Sequence, residues 1–328
     1  MTYAPISSNA VVLICATAIS PLSFAIPQKL LNLSTMDVRP DDAIQAYLKT
    51  GEHDPMFFAW PGNGVLDKSR IGTANLRDAL IAEVVRRTEH QRGRAVPDGM
   101  DLHQFSRQKF CAMVKGLFPR SEQEIVLSML ERSVVFLAKE NIVSVLRDMT
   151  WLGTAWDLAN LYLASCSTEL LAEDAPQLLG LGIGTTCYVS TDYFHTKNHF
   201  EDYVLHEAAH VFHNCKRETL GLPSSRRREW LLEIEFRKRE TFAYACEAYS
   251  RILELGVDQK HRQKLLAELA LKPLPGDDRV DGEEYLDILG EAVAARNGWK
   301  RILGRCSTDI DESVQRQLGS PKLPAGGE

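Results

Sequence analysis

The chain has 328 residues, 45% hydrophobic and 25% charged, which is enough apolar mass for one or two globular domains without disulfide or metal staples. A net charge of -6 excludes a general electrostatic pull toward nucleic acid or anionic lipid, so no nucleic-acid partner is expected. Seven scattered cysteines with no C-x-x-C pair exclude a zinc ribbon and a thioredoxin-type motif, and suit reduced, buried thiols in a cytoplasmic setting.

In chain order, NAVVLICATAISPLSFA carries an apolar run too short to span a bilayer, so no membrane span is expected. Ser23 and Ala25 stand where a signal peptidase needs small residues, which sets an exported alternative, with a signal-like segment at 1–25, against the cytoplasmic reading. No Lys or Arg precedes Lys29, and that favours a buried or poorly ordered N-terminal segment. Helical spacing covers 41–50 and 74–90, on either side of the turn-rich aromatic stretch HDPMFFAWPGNG. RGRAVPDG (92–99) reads as a linker. DLHQFSRQKFCAMVKGLF and SEQEIVLSMLERSVVFLAKENIVSVLRDM predict helices, the second opened by a Ser121-x-x-Glu124 capping box. Another helix is expected over Trp151 to Ala164.

GLGIGTTCYVSTDYF (180–194) is the strongest strand signal, with glycines followed by β-branched and aromatic residues. Gly180, Gly182 and Gly184 precede a strand instead of joining one to a helix, so they do not form a dinucleotide loop. The next helix holds HEAAH, with Asn198-x-x-Glu201 as its expected cap. Arg226 to Leu255 reads as one long helix, or two joined near 237–240, followed by helices at 259–271 and within 283–297. GSPKLPAGGE reads as a solvated tail. The pattern predicts an α+β, predominantly helical fold. Its expected parts are an N-terminal helical or irregular region (1–100), a catalytic domain (101–272), and a C-terminal helical extension with a flexible tail (273–328).

The chemistry centres on His206-Glu207-x-x-His210. Residues four apart on an α-helix are separated by about 40° and about 6 Å of rise, so two imidazoles so placed converge on one ion. A glutamate beside the first histidine reaches the ion's open side, where it can take a proton from a metal-activated water. Flanking Val204, Leu205, Val211 and Phe212 would anchor this helix in a core, where unpaired histidines and carboxylates are costly. A catalytic zinc takes three protein ligands. His213 lies nearly a turn beyond His210, and no glycine turn brings it back, so it reads as a satisfied neighbour. His195 and His199 fall at loop and capping positions. A downstream carboxylate remains, Glu240 or Glu247, two turns apart on one helix face. Ala243 and Ala245 would let that helix approach closely. Asp202 is a candidate to hold the free N–H of His206, and Glu247 a candidate outer-shell carboxylate.

These residues resemble the zincin metallopeptidases of the gluzincin type. ETFAYA (240–245) is similar to the glutamate-helix motif E-x-F-A-x-A of their lethal-factor-like members. The resemblance spans Tyr203 to Leu253. It implies a zincin-like core with a small sheet, Zn2+ held by His206, His210 and Glu240, and Glu207 as general base. Tyr244, one turn after Glu240, is the candidate for assisting the transition state. The expected activity is zinc-dependent endopeptidase cleavage of a peptide or protein substrate, with TTCYVS (185–190) as the edge strand that aligns it. The alternative is a regulatory or binding protein that keeps a zinc-loaded zincin scaffold without general peptidase activity. The basic runs Arg226–Arg228 and Arg237–Arg239 read as solvated helix faces with Glu229, Glu233 and Glu235 as partners.

Overall fold

The computed structural model describes residues 38–91, 96–176, 179–195 and 199–307. The expectations for the N-terminal segment, for Asn198 and for the C-terminal tail lie outside the described residues. In chain order the elements are α1 (Pro40–Thr50), α2 (Val65–Thr88), α3 (Leu102–Leu117), α4 (Arg120–Ser133), β1 (Val134–Leu137), α5 (Ile142–Asp148) and α6 (Leu152–Ser165). They continue with β2 (Gly180–Ile183), β3 (Thr186–Ser190), α7 (Tyr203–Asn214), α8 (Arg239–Leu255), α9 (Gln259–Ala270), α10 (Gly282–Ala294) and α11 (Gly298–Cys306). The described chain is predominantly helical with one three-stranded sheet, consistent with an α+β class. No helix among the described residues is long and apolar enough to cross a membrane. The six described cysteines are free thiols, five of them buried.

The described parts of Met1–Leu102 and Arg132–Lys197 form one compact unit, and those of His103–Glu131 and Asn198–Glu328 form the other. In the first, Leu76, Leu80 and Val84 of α2 share a core with Ala155, Leu158, Ala159 and Tyr162 of α6. The helix α2 begins at Val65, ahead of the expected start at 74. It runs through Gly72, where a Cβ would lie 2.3 Å from Phe57 and 2.6 Å from Trp60, so glycine lets the helix approach those two rings. The sheet order is β1-β3-β2, with β1 parallel and β2 antiparallel to β3.

Three sequence expectations between α4 and β3 are corrected. The stretch 121–149 is not one helix: Val134-Val135-Phe136-Leu137 leaves α4 and pairs as β1. β-Branched and aromatic residues favour the pleated, half-buried surface. Asn141 then turns the chain, accepting from the Ala138 N–H at 2.9 Å and donating to the Phe136 carbonyl at 2.8 Å. Ser121 is the second residue of α4, and so not its cap. The expected substrate-aligning edge strand, 185–190, is β3, which sits in the middle of the sheet. Its backbone is paired on both sides, so it offers no free edge.

In the second unit, α7 and α8 pack against each other, and α8 also packs against α10 and α11. Every α7 residue from Tyr203 to His213 is buried, so this helix is a core element on all sides. Phe118, just after α3, stacks edge-on against Phe212, and Tyr249 of α8 against Trp299 of α11. The expected helix over 226–255 exists only as α8. Residues 226–235 instead run irregularly past the end of α7, where Leu231 N–H and Leu232 N–H donate to the carbonyls of Cys215 and Phe212. Those carbonyls would otherwise be orphaned at a buried helix end. Glu233 closes this segment by accepting from the backbone N–H groups of Glu229 and Trp230 at 2.7 and 2.8 Å, which competes with helix formation. The helix α11, absent from the sequence reading, follows α10 after a short break.

Candidate metal centre

The cap of α7 is Asp202, whose Oδ1 accepts from the Leu205 N–H at 3.3 Å. Its Oδ2 meets Lys109 Nζ of α3 at 2.6 Å. This fixes the start of a helix whose apolar side chains, Val204, Leu205, Ala208 and Ala209 among them, are fully buried. On the same helix His206 and His210 turn their Nε2 atoms to within 3.2 Å of each other. The facing helix α8 supplies Glu240 in its first turn, where the helix dipole favours a carboxylate. Ala243 and Ala245 are fully buried on that helix.

Glu240 Oε2 lies 3.7 Å from His206 Nε2 and 3.4 Å from His210 Nε2. His206, His210 and Glu240 are the group of donors among the described residues that could hold a metal ion. Tetrahedral ligands at 2.0–2.1 Å from an ion stand about 3.3–3.4 Å apart, so the three observed separations bracket the required value. Glu207, Glu240 and Glu247 are all buried beside the two imidazoles. At His206, burial opposes the imidazolium, yet the carboxylates of Glu240 and Glu247 outweigh it and hold the pKa well above its ordinary value. Burial also opposes ionisation of Glu240, but His206 and His210 hold that carboxyl below its ordinary range.

Each donor is held from behind. His206 Nδ1 meets Glu247 Oε2 at 3.2 Å, while Glu247 Oε1 accepts from the Asp202 N–H at 2.5 Å. Glu247, not Asp202, therefore orients His206, and Asp202 is the helix cap. His210 Nδ1 meets His213 Nε2 at 3.3 Å. Burial, then His210 and Arg239, push the His213 pKa down to about 2, so His213 is neutral, and the direction of its hydrogen bond with His210 follows the tautomers of the two rings. Glu240 Oε1 lies 3.0 Å from Nη1 of Arg279, in the loop between α9 and α10. Nothing in the periodicity or motifs of the sequence marks Arg279, because its role depends on where an irregular loop folds back.

Glu207 is 1% exposed, and neither of its carboxylate oxygens has a hydrogen-bond partner. Burial raises its pKa, and His206 and His210 pull it back down. The ring of Tyr244 stands edge-on to His206, with centroids 4.5 Å apart and planes at 71°. Burial, then Glu247, raise the phenol pKa, so Tyr244 keeps its proton. His199 is exposed beside Phe200, and His195 closes a 3-10 turn in the first unit. Of the basic runs, Arg228 pairs with Glu122 at 3.2 Å, Lys238 pairs with Glu284, and Arg239 stacks over Phe236. Comparison with family models, with curated proteins and with solved structures finds no match to the chain.

Proposed function

We propose that the chain is a zinc-dependent peptidase of the gluzincin type, acting on a peptide or protein substrate. His206, His210 and Glu240 hold the ion, and Glu207 is the general base. The observation that carries this reading is Glu207, a buried carboxylate with both oxygens unbonded beside a ready donor triad. Leaving a buried polar group unmet costs about 1–3 kcal/mol, which is tolerated where the group has chemistry to perform. Two imidazoles and one carboxylate suit zinc by ligand type.

When bound, zinc supplies the Lewis acidity that brings water's pKa to about 7 and polarises a carbonyl. Glu207 takes the water's proton on a carboxylate oxygen. Burial raises its proton affinity toward that task, and it then passes the proton to the leaving amine. Tyr244, protonated and packed on His206, donates its hydroxyl to the carbonyl oxygen. Glu247 and His213 keep the two imidazoles in register. The test is hydrolysis of casein and of a mixed peptide library by the zinc-loaded full chain and by Glu207→Gln. The wild type is expected to cleave, while the variant keeps its zinc and loses about 10²–10⁴-fold in rate. A variant with zinc and full hydrolysis refutes the assigned base, and a zinc-loaded wild type that cleaves nothing refutes the peptidase.

A further inference from the structure

The loop carrying Arg279 is built around one carboxylate. Asp277 Oδ1 accepts from the Arg279 backbone N–H and from its Nε, both at 2.9 Å, and Oδ2 meets Nη2 at 2.5 Å. The Asp277 side chain is 11% exposed and that of Arg279 46%. One edge of the guanidinium is thus clamped by its own loop, and Nη1 is delivered to Glu240 Oε1 at 3.0 Å. The opposite oxygen, Oε2, is the one aimed at the two imidazole Nε2 atoms.

We propose that Arg279 is a positioning residue of the metal centre: by holding Oε1 of Glu240, it makes that ligand offer the ion Oε2 alone. The inference rests on the metal-centre reading above. A carboxylate is free to bind an ion through one oxygen or two, and the second oxygen would take a position that water or substrate needs. The 3.0 Å ion pair draws Oε1 toward the guanidinium, and Glu240 would have to give it up to turn its second oxygen inward. The planar fork matters as well. Arginine grips Asp277 along one edge while reaching Glu240 with Nη1, and a lysine ammonium has no such fixed geometry. The loop between α9 and α10 thereby sets the number of open positions at the centre while contributing no ligand.

The test uses the full chain loaded with Co2+, whose visible spectrum distinguishes four-coordinate from higher-coordinate sites. Wild type is expected to give an intense four-coordinate spectrum. Arg279→Ala and Arg279→Gln are expected to bind Co2+ but lose several-fold in molar absorbance as Glu240 closes onto the ion with both oxygens. Asp277→Asn, which keeps the arginine but loosens its clamp, is expected to fall between them. Cobalt-loaded Arg279 variants with the wild-type spectrum overturn the proposal, as does a wild type that is already higher-coordinate. A folded wild type that takes up no cobalt overturns the metal centre and this inference together.

Discussion

Replacing Glu247 by alanine separates orientation of a ligand from ligation itself. Its Oε2 holds His206 Nδ1 at 3.2 Å and its Oε1 holds the N–H of Asp202, the cap of α7, at 2.5 Å. Both donors are buried, so Glu247→Ala leaves two N–H groups unmet without removing a ligand. Loss of such an outer partner lowers metal affinity by about 10–100-fold, or about 1.4–2.7 kcal/mol. The metal-free protein should also lose stability, by about 1–3 kcal/mol for each unmet donor. Part of that is returned because burial already raises the carboxyl's pKa and so opposes its charge. Glu247→Gln keeps an acceptor and the side-chain volume but not the charge, so its affinity should fall by about tenfold, the smaller end of the range. Zinc affinity is measured by competition with a chromogenic chelator at fixed pH, beside urea unfolding of the metal-free proteins. Glu247→Ala with wild-type affinity would show that His206 needs no support from α8, and the reasoning would fail.

Two further outcomes follow from the same physics. Arg217 is fully buried and pairs with Glu122 through contacts of 2.6 and 3.2 Å, so Arg217→Ala should destabilise the protein by about 3 kcal/mol in urea unfolding, since it leaves a buried carboxylate that, among the described residues, then pairs with the half-exposed Arg228. A loss under about 1 kcal/mol contradicts this, because it would mean that Arg228 alone meets the charge. Burial raises the Asp157 pKa to about 6, whereas an unfolded aspartate titrates near 4. Between those values the native state binds more protons than the unfolded one, so this group makes stability fall as pH rises from about 4 to about 6. Urea midpoints across that window should show the fall lessened in Asp157→Asn; parallel wild-type and variant curves would rule out Asp157 as its source.

Much of the candidate site could be read in the sequence because short-range helix geometry defines it. His206, Glu207 and His210 sit on one helix, and apolar neighbours on every side bury it. Glu240 came within view through ETFAYA, whose small residues allow close approach of the glutamate helix. What escaped the sequence depends on contacts far apart along the chain. VVFL carries the same apolar density as the helices around it, and only pairing with a strand some fifty residues on makes it β1. Residues 226–235 have helical spacing, but the carbonyls at the end of α7 recruit their backbone instead. Asp202, one turn before His206, looked placed to hold its imidazole, yet the N-cap geometry turns that side chain back onto its own helix and toward Lys109. Arg279 has no local signature, since Asp277 aims it from an irregular loop.

The most direct measurement is metal content by mass spectrometry of the full chain after zinc loading and desalting, for wild type and for His206→Ala, His210→Ala and Glu240→Ala, each checked for folding by circular dichroism. The account predicts about one zinc per wild-type chain and loss of tight binding in every folded variant, as a three-ligand site requires. A folded wild type without zinc, or a Glu240→Ala protein that holds zinc as tightly as wild type, would contradict it.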